Sequence, residues 1–221
     1  MTAMSSSPRR LAVCICCSPP RLFGFPANNY SHAIVVDKTR CRWFETWDTR
    51  VRAGTWRAGS GATWSLTGNE LRPDGWTSAD AAGLPILPGL LRWNEVSDGY
   101  VDHAVRFTTD ITSGHYLWPA RHHAGSQDSL DFPPMGARFR LRSSFPSAGY
   151  GPVAQAVIAA MKRHGLVLAD NGSPWFFQGE RNGHWPDRLI SDLKTIPGSS
   201  FVAVDTSALQ VSNDSARVRA G

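Results

Sequence analysis

Residues 137–170 read ARFRLRSSFPSAGYGPVAQAVIAAMKRHGLVLAD and predict a strand, a helix and a second strand in succession. In the first six positions, apolar side chains alternate with three arginines, which is typical of a strand with one face in the core. Pro152 at a first-turn position and Gly165 after the last turn favour a helix between them that packs on a sheet. The apolar run GLVLAD then predicts the second strand, and the Asn171-Gly172 pair that follows it favours a hairpin turn.

Further short segments rich in β-branched and aromatic residues predict strands on either side of this unit. They are residues 32–37, 41–47, 62–66, 102–109 and 201–205, and a second short helix is expected over 186–194. Residues 68–83 predict a long ordered loop, and Pro85 and Pro88 favour an edge or polyproline segment because neither can donate to a sheet. This order of elements predicts a mainly β chain that forms an antiparallel β-sandwich of jelly-roll type with two short peripheral helices.

The length and composition of the chain fit one domain. It has 221 residues, of which 42% are hydrophobic, and this is enough for a substantial core. We expect a single β-sandwich domain over 29–209, a non-core N-terminal segment over 1–28 and a disordered tail over 210–221. The N-terminal segment has the features of a degenerate export signal, with Arg9 and Arg10 ahead of LAVCICC but no clean cleavage site. No apolar run reaches the roughly 20 residues that a membrane span requires.

The charge and the cysteines argue against two classes of partner. The net charge is +5, but five of the arginines lie in the two terminal segments, so the body of the chain is close to neutral. A neutral body disfavours nucleic-acid binding, which depends on a basic surface. The four cysteines have no zinc-site spacing. We therefore expect a monomer that holds no metal or other cofactor and binds no nucleic acid.

Four segments carry a resemblance to a known family. They read GSGATWSLTGNELRPDGWTSADAAGLPILPGLLRW from residue 59, DHAVRFTTDITSGHYLWPARH from residue 102, MGARFRLRSSF from residue 135 and GLVLADNGSPWFFQGE from residue 165. Together they resemble a family of uncharacterised bacterial β-rich proteins, taken to be secreted, with LPILPGL, DHALRFT and ADNGS motifs. The resemblance covers about residues 30–209 and implies a β-rich scaffold and an extracellular or cell-envelope location, but no activity. Family members carry further β-structure ahead of the match, which implies that this chain is shortened at its N-terminus.

The second predicted strand carries the main candidate site. Its alternation places Trp43, Glu45 and Trp47 on one face, so that a carboxylate stands between two indoles. Indole faces can stack on pyranose rings, and burial favours the acid form that a general acid requires. A preceding loop of two or four residues puts His32 on the same face as Glu45, whereas a three-residue loop puts it on the opposite face. The alternative is a mixed surface with two half-buried tryptophans and an ordinary glutamate.

Asp80 completes the set of candidate catalytic residues, which are Glu45, His32 and Asp80. Because Asp80 lies in the long loop, three roles are open to it: the partner acid of Glu45, a calcium ligand, or an acceptor that pins the loop.

Other aromatic and basic side chains are candidates for substrate binding beside Trp43 and Trp47. Trp118, Arg121 and His122 stand at a predicted strand end, where side chains can reach a cleft. Another predicted strand presents arginines on one face, and these are Arg138, Arg140 and the adjacent Arg142.

These patterns favour an exported β-sandwich that interacts with polysaccharide, as a glycoside hydrolase or a polysaccharide lyase with Glu45 as the acid. A non-catalytic carbohydrate-binding or surface-interaction module is the alternative, because it needs the same tryptophans and no paired acid. A third hypothesis is a truncated, inactive remnant. A second carboxylate opposite Glu45, about 5–5.5 Å away for a retaining glycosidase or 6.5–9.5 Å for an inverting one, separates the first two hypotheses.

Overall fold

The computed structural model describes residues 12–14, 32–53, 55–129 and 131–219, and in these residues the chain is mainly β with few helices. The strands are β1 (Ala12–Cys14), β2 (Ala33–Asp37), β3 (Arg42–Trp47), β4 (Arg50–Arg52), β5 (Thr55–Arg57), β6 (Ser60–Ser65), β7 (Val105–Thr109), β8 (Arg138–Leu141), β9 (Leu166–Asn171), β10 (Phe176–Phe177), β11 (Phe201–Val204), β12 (Gln210–Ser212) and β13 (Ser215–Val218). The helices are α1 (Trp93–Ser97), α2 (Pro152–Arg163) and α3 (Leu189–Lys194). No described helix is long and apolar enough to cross a membrane.

The first sheet is antiparallel throughout, with the strand order β1-β2-β3-β6. Its register follows from the turn after β2, in which the Oδ1 atom of Asp37 accepts hydrogen bonds from the amides of Thr39 and Arg40. Since Asp37 pairs with Arg42, the turn holds four residues, and Glu45 of β3 stands opposite Ile34 of β2. The inward face of the sheet therefore brings together Ile34, Trp43, Glu45, Ala62 and Trp64, all of which are buried.

The second sheet has the order β10-β7-β9-β8-β11 and is mixed, because β7 and β9 pair in parallel. The prediction of a wholly antiparallel sandwich is therefore wrong at this pair, and a jelly-roll arrangement is not confirmed. The hairpin predicted at Asn171-Gly172 is also wrong, since β10 pairs with β7 and not with β9. The first four residues of β9 are all buried, which suits a central strand flanked on both edges. The chain leaves β9 across the end of β7, where the Gly172 amide donates to the Thr109 carbonyl over 3.0 Å.

The larger core forms where α2 packs on the second sheet, as the sequence predicts. The buried residues of α2 are Ala154, Ala156, Val157, Ile158, Ala160 and Met161, and they share one cluster with Leu166 and Leu168 of β9. A smaller cluster under the first sheet contains Ile34, Trp43, Ala62, Trp64, Ala79, Ile86 and Leu90. The core is therefore divided between the two sheets.

The segment between β6 and β7 joins these two clusters. Ile86 and Leu90 lie in the smaller cluster, whereas Leu84 and Leu91 lie in the larger one. The predicted edge or polyproline segment is instead a single 3₁₀ turn at Leu87–Gly89, and α1 follows it as a helix that the sequence did not predict. A chain that alternates between two cores in this way has no single hydrophobic period for sequence analysis to detect.

Both terminal segments contain described strands. Residues 210–221 were expected to be a disordered tail, but β12 and β13 pair as a hairpin. The hairpin is held from outside by two backbone hydrogen bonds, from Leu71 to Asp214 and from Ala216 to Asn69, and by the Trp118 indole, which donates to the Ser215 carbonyl over 2.9 Å. At the other end, β1 lies within the predicted non-core segment and pairs with β2. The remainder of that segment lies outside the described residues.

We predict that Arg121→Ala destabilises the protein through the C-terminal hairpin. The guanidinium is almost completely buried and donates to the Arg72 carbonyl (2.7 Å), the Asn213 carbonyl (2.8 Å) and the Asp214 carboxylate (3.0 Å). Loss of these bonds should lower the free energy of unfolding by about 2–4 kcal/mol, measured by chemical denaturation. The control is Arg217→Ala on β13, where the side chain is exposed and the change should stay within about 0.5 kcal/mol. Equal stability of the two variants would contradict the role of Arg121.

Candidate functional site: a buried carboxylate beside a central cavity

Glu45 has no exposed surface, and its carboxylate accepts hydrogen bonds from four N–H groups. The Oε1 atom accepts from the Trp43 indole (2.8 Å) and from the amides of Ile86 (2.9 Å) and Leu87 (2.8 Å). The Oε2 atom accepts from the Trp64 indole (3.1 Å) and shares the Ile86 amide (2.8 Å). One side chain therefore ties two strands of the first sheet to the segment that joins the two cores.

The strand register explains why the indoles meet this carboxylate. Trp43 of β3 pairs directly with Trp64 of β6, and the two rings stack with their centroids 6.3 Å apart. Glu45 lies two residues further along β3, on the same face, opposite the small side chain of Ala62. Because alanine leaves space above the sheet, the carboxylate can reach both indole nitrogens.

The hydrogen bonds at Glu45 suit an ionised carboxylate. The pKa of the Glu45 carboxyl is raised by burial, and the bonds from Ile86, Leu87 and Trp43 and the nearby charge of Arg106 oppose this rise without cancelling it. All four bonded partners are N–H donors, so none of them can accept the hydrogen bond that a protonated Glu45 carboxyl would donate. Glu45 therefore acts as a hydrogen-bond acceptor that organises its surroundings.

Arg106 is the buried cation of this region. Its guanidinium lies 2.5 Å from the Asp80 carboxylate and donates to the Gln178 side chain (2.5 Å) and the Pro85 carbonyl (2.9 Å). Gly89 permits the loop to pass against the stem of Arg106, because a Cβ atom there would stand 2.6 Å from the Arg106 Cγ atom.

Asp80 matches the role of an acceptor that pins the long loop. Besides Arg106, its carboxylate accepts from the Ser78 hydroxyl (3.1 Å) and the Leu84 amide (2.9 Å). Burial raises the pKa of Asp80, and the charge and hydrogen bond of Arg106 act in the opposite direction. Within the described ranges no group of three or more His, Cys, Asp or Glu side chains is arranged to hold a metal ion.

A third carboxyl group faces the same cation. Burial, followed by the charge of Asp80, raises the pKa of Asp170 to about 7, and the charge of Arg106 opposes the rise. The Asp170 carboxylate accepts from the Asn171 amide over 2.8 Å. Glu45, Asp80 and Asp170 thus depend on one buried guanidinium for compensating charge.

The turn after β2 has four residues, the length for which the sequence predicts His32 on the same face as Glu45, and His32 directly precedes β2. Burial and the charge of Arg106 lower the pKa of His32 to about 4, so its ring is neutral at physiological pH. Its Nδ1 atom is buried and has no hydrogen-bond partner among the described residues.

A cavity of about 300 Å³, here called the central cavity, lies beside this buried network. Most of its lining is apolar, from Trp43, Trp64, Leu71, Leu84, Pro85, Pro88, Ala104, Pro119, Val167 and Ala216. The lining residues with polar side chains are Ser65, Asn69, Glu70, Arg106 and Arg138. The three predicted catalytic residues, Glu45, His32 and Asp80, are not part of this lining. Glu45, the predicted general acid, is therefore buried behind the wall of this cavity and not exposed in it.

Of the residues predicted to bind substrate, four line a cavity or depression, and Trp47, Arg121 and His122 do not. Trp43 lines the central cavity, and Arg138 lines both this cavity and a second depression that also includes Trp118 and Arg140. Trp47 lies away from both, with 37% of its surface exposed.

Arg121 and His122 have structural roles. Arg121 binds the C-terminal hairpin, and the Nδ1 atom of His122 lies 2.8 Å from the Ala81 carbonyl while its ring stacks on His123. Neither of them lines the central cavity.

Two residues of the site were missed by sequence analysis. Trp64 shares a face with Ala62 in a predicted strand, so its face was available from the sequence, but its pairing with Trp43 required the register of β3 and β6. Arg106 alternates with core residues on β7, and no local pattern indicated that a guanidinium at this position would be buried.

Comparisons of the chain with protein-family models, with curated proteins and with solved structures find no match. The case for a function therefore rests on the residues and geometry of the chain itself.

We predict that Glu45→Gln destabilises the protein. Glutamine replaces one acceptor oxygen with an NH₂ group, which would face N–H donors where the carboxylate now accepts them. The free energy of unfolding should fall by about 2–4 kcal/mol, measured by urea denaturation. The control is Glu70→Gln, an exposed glutamate of the cavity lining, which should change stability by no more than about 0.5 kcal/mol. An unchanged midpoint for Glu45→Gln would show that the carboxylate does not hold these groups.

Proposed function

We propose that the protein is a non-catalytic carbohydrate-binding protein that holds one sugar unit in the central cavity. The observation that carries the proposal is the cavity lining, to which two stacked tryptophans and two arginines contribute. The resemblance described above adds an extracellular or cell-envelope location to the proposal.

The size and lining of the central cavity suit a pyranose. Its volume is at the lower end of the range of ligand sites, which begins at about 300 Å³. Trp43 and Trp64 offer apolar surface to the C–H faces of a sugar ring, while Asn69 and Arg138 offer polar groups for its hydroxyls.

The positions of the acids favour binding over hydrolysis. Glycoside hydrolysis needs two carboxyl groups that flank the scissile bond. Glu45 and Asp80 are buried and bonded to side chains of the cavity lining without belonging to that lining, of which Glu70 is the one acidic member among the described residues. A single exposed glutamate does not form such a pair. A lyase or hydrolase centred on Glu45 would require substrate to displace four hydrogen bonds in the core.

Obstruction of the central cavity tests the proposal. Ala216 lines the cavity from the exposed C-terminal hairpin, so Ala216→Phe should fill part of it and leave the core intact, whereas Ala216→Ser is a matched control. Calorimetric titration with neutral and acidic mono- and trisaccharides should show binding to the wild type and to Ala216→Ser and at least about tenfold weaker binding to Ala216→Phe. Chromatography of the same mixtures should show intact saccharides.

Three results would contradict the proposal. They are the absence of binding by every saccharide at millimolar concentration, equal binding by Ala216→Phe and Ala216→Ser, and the release of cleaved sugar. Thermal unfolding of each variant establishes that a loss of binding does not come from a loss of fold.

A further inference from the structure

A second depression, here called the basic groove, is formed by residues of β8, the end of α2, β11 and the C-terminal hairpin. Its volume is about 220 Å³, and its lining combines Arg138, Arg140, Arg163 and His164 with apolar residues that include Trp118 and Val218. Among the described residues, no acidic side chain belongs to its lining. A site with several cations and no carboxylate attracts an anionic ligand.

None of the three arginines of the basic groove forms an ion pair with an aspartate or glutamate among the described residues. The Nε atom of Arg140 donates to the Lys162 carbonyl over 2.7 Å, which orients the guanidinium without compensating its charge. Arg163 lies over the Tyr100 ring, 4.5 Å from its centroid. The Arg138 side chain has no hydrogen bond or ion pair with any residue in the described ranges, although burial lowers its pKa. An arginine keeps its charge under these conditions, so the groove remains cationic.

His164 is the groove residue closest to a carboxylate. Its Nε2 atom lies 3.4 Å from the Asp102 carboxylate. This contact concerns the histidine and none of the three arginines. The three guanidiniums therefore define the electrostatics of the groove.

Arg138 connects the basic groove with the central cavity, because it lines both. Arg140 stands two residues further along β8 on the same face, roughly 7 Å away along the strand. A ligand that places one unit in the central cavity and continues past Arg138 would therefore meet a second cation within about the length of one more sugar unit.

We infer that the basic groove is a second subsite that binds a carboxylate-bearing sugar unit, and that the ligand of this protein is an acidic, uronate-containing polysaccharide. The inference rests on the proposed function, since the first unit occupies the central cavity. Guanidinium groups pair with carboxylates through two parallel hydrogen bonds, which makes arginine well suited to a uronate. The groove also supplies the apolar surface that a pyranose ring requires, from residues such as Trp118 and Val204.

The charge of the rest of the chain favours this ligand over a nucleic acid. A nucleic acid carries one phosphate per nucleotide and is bound along a continuous basic track. Here the cationic lining is confined to one short groove, and Arg217 and Arg219 of the adjoining C-terminal segment do not belong to this lining. A short acidic oligosaccharide matches this extent.

The test uses the full chain and the double variant Arg140→Gln, Arg163→Gln, which changes the basic groove and leaves the central cavity untouched. The matched control is Arg142→Gln, an exposed arginine on the same face of the β8 segment that does not line the groove. The probes are galacturonic acid, tri-galacturonate, a neutral trisaccharide and a single-stranded oligonucleotide, each titrated by calorimetry at low and at physiological ionic strength.

The wild type should bind tri-galacturonate at least about tenfold more tightly than the neutral trisaccharide, and added salt should weaken this preference. The double variant should lose the preference but keep its affinity for galacturonic acid, whereas Arg142→Gln should behave as the wild type.

Equal affinity for neutral and acidic trisaccharides, or an unchanged preference in the double variant, would overturn the inference and leave the proposed function standing. Binding of the oligonucleotide alone, with a loss of affinity in the double variant, would replace the uronate with a nucleic acid as the ligand of the groove. A failure of every saccharide to bind would overturn both the proposed function and the inference.

Discussion

The burial of the Glu45 carboxylate is the constraint on which the rest of the structure depends. A carboxylate without water is stable only if nearby donors replace its hydration. Two indoles and two backbone amides do so here, and those four groups come from β3, β6 and the segment before α1. The electrostatic requirement of one side chain thus fixes the orientation of Trp43 and Trp64 and the path of the chain over the first sheet.

Arg106 gives the second sheet an equivalent anchor. It binds Asp80, Gln178 and the Pro85 carbonyl, and Pro85 immediately precedes the amide of Ile86 that binds Glu45. The segment around Pro85 is therefore held from both sheets by polar contacts, at the position where the two hydrophobic clusters meet. The central cavity lies beside these anchors, and its walls include the indoles of Trp43 and Trp64 and the rings of three prolines, Pro85, Pro88 and Pro119.

The sequence predicted those parts of the fold that depend on local periodicity. The alternation of β3 and β8 and the stripe of α2 follow from neighbouring residues alone, whereas the face of His32 depends on the length of the turn after β2. The parallel pair β7 and β9 was not predictable in this way, because Asn171-Gly172 has hairpin chemistry and only the burial of β9 on both faces overrides it. The C-terminal hairpin was missed for a related reason, since it is stabilised by distant partners such as Arg121 and Trp118.

The candidate site shows the same division between local and distant information. Trp43 and Arg138 were identified from strand alternation, and both line the central cavity. The role of Glu45 could not be deduced, because a glutamate between tryptophans suits a general acid as well as a buried acceptor. The choice depends on Trp64 and the Ile86 amide, which are 19 and 41 residues away in sequence.

Hydrogen exchange at the tryptophan indoles tests the central claim most directly. In ¹⁵N-labelled protein transferred to D₂O, the indole protons of Trp43 and Trp64 should exchange as slowly as the most protected backbone amides, because both are bonded to Glu45 in the core. The indole of Trp76, whose side chain is largely exposed, should exchange within the dead time. Exchange of Trp43 and Trp64 as fast as that of Trp76 would contradict the account, since it would place the Glu45 carboxylate and its indole partners in contact with water.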